Sequence, residues 1–329
     1  MPCGFNNQGN TCYMDSALQV LFNSSKIAQC LKENATAGPL TEAGAKLVTL
    51  SEQQVTNTPS QIKNLMGQKH PLFAGFGQQD SHEFISNYLE EVHKEMCPGK
   101  HTYEEVDYSS LTPEDAYKIF LSNQQKFESS PIQDVLQFTI INLMKCKSCE
   151  KSSFSFQAEQ SLMLDIQFVE NDDSVPEKEN KCRFFSWGPP QKKTDLTRCL
   201  QNYFEDHSIN KQCEHCKSVT EHTCSVKLYT IPKQLLIILK RFSAEREKVE
   251  HQVQYYQTLD LSEFTYNPEK ANSLELEAVS LHSGGVWGGH YTAYVQKDGH
   301  FYNCDDSWVS ETKFNYSDDR AYVLSYAMK

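Results

Sequence analysis

The sequence has no run of 18 or more apolar residues, the length that a membrane-crossing helix needs. Its N-terminus also lacks the basic-then-apolar order of a secretion signal. Positive charge is short: 31 Lys and Arg stand against 43 Asp and Glu, for a formal net charge of -12. A general nucleic-acid binder must match phosphates with cations, so this balance argues against that class and fits a partner with a basic patch better. No internal repeat is present. These absences together predict a soluble intracellular monomer, cytoplasmic and/or nuclear, with no nucleic-acid partner and no membrane insertion.

What is present is globular in character. Aromatic residues make up 11% and charged residues 22% of the chain, close to ordinary domains and far from disordered ones. A length of 329 residues is enough to bury a large core, as one big domain or two ordinary ones. Twelve cysteines are unusual. In a long chain without a secretion signal, paired C-x-x-C motifs point to metal, and isolated cysteines to core or catalysis, in a reducing compartment.

The pattern changes along the chain. Leu18, Leu21 and Phe22 follow helical spacing after a turn-forming stretch from Gly4 to Thr11, which puts Cys12 at a helix start. A second helix is predicted over 81–96, with Ile85, Leu89, Val92 and Met96 on one side and Asp80 with Glu83 as a capping-box variant. Thr112-Pro113-Glu114-Asp115 starts another. After about residue 132 strands take over. Val135 to Leu143 and Phe154 to Ile166 are candidate antiparallel partners, and Leu235 to Leu239 reads as a strand buried on both faces. Further strands are predicted at 274–281, 290–296, 301–304 and 321–326. The fold class is therefore α+β, with a helical N-terminal half and an antiparallel, sheet-rich C-terminal half. The polar, charge-dense stretch from Val169 to Thr194 reads as a surface insertion or mobile loop.

Two separated segments carry the chemistry. A cysteine at a helix N-terminus is favoured as thiolate by the unpaired amides and dipole there. The preceding Asn7-Gln8-Gly9-Asn10-Thr11 offers amide donors for an oxyanion. Far along the chain His290 follows two glycines at a strand head. A turn around Lys297 to His300 would bring it alongside Asp305. Nucleophile, imidazole and orienting carboxylate form a cysteine-hydrolase trio. Taken alone, each piece has an ordinary reading: a core cysteine, a structural histidine, an acidic turn.

Gly9-Asn10-Thr11-Cys12-Tyr13-Met14-Asp15-Ser16-Ala17-Leu18-Gln19 resembles the Cys box of ubiquitin-specific proteases. Gly77-Gln78-Gln79-Asp80-Ser81-His82-Glu83-Phe84 is similar to the QQD-type box of that family, and Leu239-Lys240-Arg241-Phe242 to its LKRF strand. Gly289-His290-Tyr291-Thr292-Ala293-Tyr294 with Tyr302-Asn303-Cys304-Asp305-Asp306-Ser307-Trp308-Val309 resembles its His box. The motifs stand in family order from residue 4 to about residue 326. The resemblance implies a papain-like cysteine peptidase fold of thumb, palm and fingers. It divides a single catalytic domain, 1-329, into a thumb (about 1-130), mostly fingers (about 131-228, with the insertion at 169-194) and mostly palm (about 229-329).

The implied activity is deubiquitination, the hydrolysis of isopeptide or peptide bonds at the C-terminal glycine of ubiquitin, with ubiquitin and ubiquitinated proteins as partners. Cys12 is then the nucleophile, His290 the general base and Asp305 the third member. Asn7 matches the oxyanion-hole position and Asp306 a second acidic position that assists the transition state. Asp80 and Glu83 match positions that hold the arginine-bearing tail of the substrate, although helix capping alone would also explain them. Gly284-Gly285-Val286-Trp287-Gly288-Gly289 corresponds to a loop near the cleft, expected to order when substrate arrives, with a plain glycine-rich hairpin as the other reading.

Cys146-Lys147-Ser148-Cys149 and Cys213-Glu214-His215-Cys216 are two C-x-x-C knuckles that together make a tetrahedral site for structural Zn2+. The gap of roughly 60 residues between them exceeds that of an ordinary zinc ribbon, and redox-active pairs are the alternative. In the family such knuckles sit at the tips of the fingers. His215, Cys182 and Cys224 lie near enough in sequence to substitute as ligands. No cofactor is expected for catalysis. The alternatives to an active deubiquitinase are a catalytically silent ubiquitin-binding scaffold, a protease for a ubiquitin-like modifier, and a zinc-binding interaction module.

Overall fold

The computed structural model describes residues 1–97, 106, 108, 110–127, 129–166, 193–243, 247–270, 272–286 and 288–329. The predicted insertion from Val169 lies outside them, apart from its last residues, Lys193 and Thr194, which enter a short strand.

The N-terminal part is helical: α1 (Cys12–Phe22), α2 (Ser25–Glu33), α3 (Pro39–Glu52), α4 (Ser60–Lys69), α5 (Ser81–Met96), α6 (Pro113–Phe127) and the single turn α7 (Gln133–Leu136). The starts follow their residues. Asp80 accepts the Glu83 amide at 2.9 Å, and the Thr112 hydroxyl accepts the Asp115 amide at 3.2 Å, each satisfying an otherwise unpaired donor of the first turn. Every residue of α1 is buried, polar ones included, as befits a helix enclosed by other elements on all sides.

Strands follow: β1 (Phe138–Cys146), β2 (Ser152–Glu159), β3 (Ser161–Asp165), β4 (Lys193–Asp195), then α8 (Leu196–Tyr203), β5 (His207–Gln212), β6 (Val219–Leu228), β7 (Gln234–Lys240), β8 (Gln252–Gln254), β9 (Thr258–Leu259), β10 (Leu274–Gly285), β11 (Gly288–Lys297), β12 (His300–Asp305), β13 (Trp308–Thr312), β14 (Ser317–Asp318) and β15 (Ala321–Met328). A 4-stranded sheet runs β2-β1-β6-β5, and an 8-stranded sheet runs β13-β12-β11-β10-β15-β7-β3 with β9 paired to β10. The expected pair is real, with Leu143 opposite Phe154, but its first strand starts at Phe138, because Val135 and Leu136 close the helical turn α7. The strand expected over 154–166 is instead two. It breaks at Gln160, so that β2 stays in the smaller sheet while β3 crosses to pair in parallel with β7 in the larger one.

The larger sheet is covered on both faces, and β7 shows why its sequence reads as a continuous apolar run. Leu236 and Ile238 join the core beneath the helices, while Leu235, Ile237 and Leu239 join a second core containing α8 and Tyr255. Each such side chain removed from water contributes roughly 1.5–3 kcal/mol. At the end of β7, Arg241 is fully buried and its guanidinium donates to the carbonyls of Ala321, Val249 and His251, tying the segment that leads into β8 to the sheet. Small hydroxyl contacts join α1 and the cap of α2 to the same sheet: Ser16 meets Ser280 at 3.2 Å and Ser24 meets Ser325 at 2.6 Å.

Candidate active site

Cys12 is the first residue of α1 and is only 4% exposed. Its sulfur accepts from the backbone amide of Tyr291, the residue after His290 on β11. Burial pushes the thiol up and the Asp306 carboxylate adds to this, while the Tyr291 amide pulls it down. Burial thus opposes the thiolate that the helix start and the Tyr291 amide favour. The proton must leave when the thiol is called upon.

β11 and β12 are joined through Asp298 (φ 53) and Gly299 (φ 81), a two-residue left-handed turn of the kind that matches strand twist. The resulting register, Ala293 opposite Cys304, brings His290 and Asp305 to one end of the hairpin. His290 Nε2 lies 2.6 Å from Asp305 Oδ1. That contact leaves Nδ1 as the ring nitrogen available to the thiol. Both side chains are about half exposed, open to an incoming substrate.

Asn7 is fixed from both ends of its amide. Its Oδ1 accepts from the Gly9 and Thr11 amides at 2.9 and 3.2 Å, and its Nδ2 donates to Asp306 Oδ2 at 3.0 Å. The second Nδ2 hydrogen and the first-turn amides of α1 could serve as donors to an anion there. Gly9 (φ 97) has a left-handed backbone that any larger residue would strain, and a Cβ there would sit 2.9 Å from the Phe76 ring.

The glycine-rich stretch is not an open loop. Gly284 pairs with Gly289 and Gly285 with Gly288 as β10 and β11 run to the hairpin tip, and Lys248 Nζ holds the carbonyls of His282 and Gly284 at 2.8 and 2.7 Å. Trp287 lies outside the described residues. A Cβ on Gly289 would come within 2.2 Å of His282 Nε2, so glycine is required there by contact. Gln78 completes the clamp, donating to the Gly289 carbonyl at 3.0 Å and accepting its amide at 3.1 Å. The residue preceding His290 is thus held by both its backbone groups. Neither Gln78 nor Lys248 was assigned a role from the sequence. Gln78 sits inside the QQD-type box, and that was the available signal.

Asp80 is occupied twice. One oxygen caps α5, and the other accepts the hydroxyls of Tyr322 at 2.8 Å and Tyr291 at 3.4 Å. Burial and this carboxylate hold both phenols protonated far above neutrality. Glu83 is exposed on the first turn of α5.

The four knuckle cysteines converge at the tips of the β1–β2 and β5–β6 hairpins, with every sulfur within 4.8 Å of the others. Two of the edges, Cys146–Cys216 and Cys149–Cys213, are 3.8 Å. A tetrahedron with Zn–S of about 2.3 Å has sulfur–sulfur edges of about 3.8 Å, so the cluster fits that ion and could hold it. The two turns repeat one design. The Glu150 amide returns to the Cys146 carbonyl and the Lys217 amide to that of Cys213, both at 2.9 Å, with Glu150 and Lys217 left-handed. The Thr220 hydroxyl and knuckle amides pull the Cys146 thiol down toward the thiolate that a metal needs. No disulfide joins the described cysteines. His215 is exposed, and neither it nor the buried Cys224 belongs to the cluster; Cys182 lies outside the described residues.

Comparison with known proteins agrees with this architecture. The family model described as ubiquitin carboxyl-terminal hydrolase matches residues 3–326. Ubiquitin carboxyl-terminal hydrolase Usp2 of Drosophila melanogaster is 26% identical over 98% of this chain and 34% of its own length. Ubiquitin carboxyl-terminal hydrolase 3 of Mus musculus is 28% identical over 98% of this chain and 67% of its own length. The chain thus spans about a third to two thirds of these relatives. Among solved structures, the SAGA Ubp8/Sgf11/Sus1/Sgf73 DUB module bound to ubiquitin aldehyde aligns with a TM-score of 0.71 at 18% identity, covering 99% of this chain and 69% of that one. The same module bound to monoubiquitin gives a TM-score of 0.73 at 19% identity. The fold is therefore the papain-like α+β fold of these modules, and the chain belongs to the ubiquitin carboxyl-terminal hydrolase family, of the ubiquitin-specific protease kind.

Proposed function

We propose that the chain cleaves the peptide or isopeptide bond after the C-terminal glycine of ubiquitin by thiol chemistry. The observation that carries this reading is the 2.6 Å His290–Asp305 contact on the strands that pack beside the start of α1. His290 Nδ1 takes the Cys12 proton, and the thiolate attacks the glycine carbonyl carbon. Asp305 orients the ring and stabilises the imidazolium that results. The tetrahedral oxyanion is received by the Cys12 backbone amide and the second Nδ2 hydrogen of Asn7, with Asp306 aiming that amide. Collapse expels the amine, which takes the proton from His290 and leaves a thioester. Water, deprotonated by His290, then attacks the thioester and releases the ubiquitin carboxylate.

Glu83 is available to a basic substrate tail, and Asp80 supports it from the capped helix start. The metal is read as zinc held by Cys146, Cys149, Cys213 and Cys216. Four thiolates leave it no open position, so its part is to fix the fingers, and catalysis needs no cofactor. The helices form the thumb, the smaller sheet the fingers and the larger sheet the palm of one domain acting on ubiquitinated proteins inside the cell.

The test is a ubiquitin carrying a C-terminal electrophile. It should form a covalent adduct that Cys12→Ala abolishes, while probes built on ubiquitin-like modifiers react poorly. A folded sample that reacts with none of them overturns the reading. Reaction only with a ubiquitin-like probe reassigns the substrate.

A further inference from the structure

Beneath the nucleophile lie two carboxyl groups with a missing partner each. Asp15, on the first turn of α1, is 2% exposed. Its Oδ2 accepts from the Thr11 hydroxyl at 3.2 Å, but its Oδ1 is buried with no partner. Asp306, in the tight turn between β12 and β13, directs Oδ2 to Asn7, and its Oδ1 is likewise buried with no partner. The two carboxyl groups lie within hydrogen-bonding reach of one another. The Phe5 amide fixes the Asp306 carbonyl at 2.8 Å, so the turn cannot easily swing the carboxyl away. Two buried acceptors that face each other are costly as a pair of anions, and a single proton satisfies both.

We propose that Asp15 is a positioning residue that stays protonated during catalysis and holds its proton against Asp306, so that Asp306 keeps the oxyanion-binding amide of Asn7 aimed. This rests on the hydrolase reading above and adds to it a residue with no contact to substrate. The charged and titratable groups facing the pair are few. Cys12 and Tyr13 approach Asp15 from its own helix, and Cys12, His290 and Asp305 surround Asp306. Burial first, and then the Asp306 charge, push the Asp15 carboxyl from 3.8 up to about 8, which agrees with the geometry. Loss of the shared proton would place a second negative charge near the Cys12 sulfur, where Asp306 and Asp15 both oppose the thiolate. It would also set the two carboxylates against each other, disturbing Asn7.

The sign of the stability effect is fixed. Between pH 3.8 and about 8 the folded chain keeps a proton that the unfolded chain has released, so stability falls as pH rises through this window, by at most tenfold in the folding equilibrium per unit. Asp15→Asn, which donates from an amide without titrating, should remove that slope in urea unfolding measured from pH 5 to 8. In turnover, the kcat/KM of the native chain should fall at least tenfold from pH 7 to 9.5, and that of Asp15→Asn less than threefold. Identical unfolding slopes in the two proteins overturn the proposal, as do superimposable pH profiles. The unfolding measurement needs no catalysis, so a chain inactive on every probe would sink the hydrolase reading while still deciding whether the proton is shared.

Discussion

Two clusters of cysteine chemistry occupy this molecule, and they are built in different ways. At the fingertips, four thiols come from two turns of the same design, each closed by its own backbone hydrogen bonds, and their sulfurs fall into a tetrahedron. In the cleft, a single buried thiol depends on side chains drawn from the N-terminal loop, from the segment before α5 and from the hairpin of β11 and β12. In the first cluster the thiols share their charge unevenly, Cys146 held down by the Thr220 hydroxyl and Cys216 pushed up by its neighbouring thiols, whereas in the second burial pushes the lone thiol up. Two local turns and the pairing of β1 with β6 are enough to gather four thiols that could hold a metal. A nucleophile whose burial opposes ionisation depends on groups that the whole fold brings to it.

Experiments can break or sharpen this contrast. The largest effect is expected at the cleft: Cys12→Ala should lower ubiquitin cleavage by on the order of 10⁵ or to background while leaving the melting temperature nearly unchanged. Asp305→Asn should follow, with kcat down by about 10²- to 10⁴-fold, because the imidazole loses the carboxylate that fixes it and stabilises its charge. At the fingertips the pattern should invert. Cys149→Ser, or a strong chelator, should release about one zinc per chain by elemental analysis and cost several kcal/mol of stability. Its effect on electrophile labelling of Cys12 should be smaller than that of Asp305→Asn. A chelated protein that kept full stability would end the comparison. The smallest effect is expected for Gln78→Ala, which removes both bonds to Gly289 and should lower kcat about tenfold with about 1–2 kcal/mol lost in stability.

Legibility in the sequence followed the range of the forces involved. The helix at 81–96 was readable because its cap and apolar spacing are local, and the structure gives Ser81–Met96. The buried strand β7 was readable because both of its faces are apolar, which leaves one continuous run. The break at Gln160 was not readable, since β2 and β3 differ only in which sheet receives them, and that choice belongs to their partners. The glycine-rich stretch takes the hairpin pairing that was its other reading, and its distant supports were equally unreadable. Its composition implies freedom, whereas Lys248 and Gln78 hold the backbone of Gly284 and Gly289 from distant segments.

By itself, the sequence determined the ordered boxes, the two knuckles, the cap at Asp80 and the succession of helices before strands, because each is written in neighbouring residues. Only the tertiary structure decided that the Tyr291 amide meets the Cys12 sulfur, that Asp80 is shared between a helix end and two tyrosines, and that Asp15 and Asp306 face each other. Those outcomes depend on burial and on contacts between distant segments, and no local pattern encodes how much water a side chain will lose.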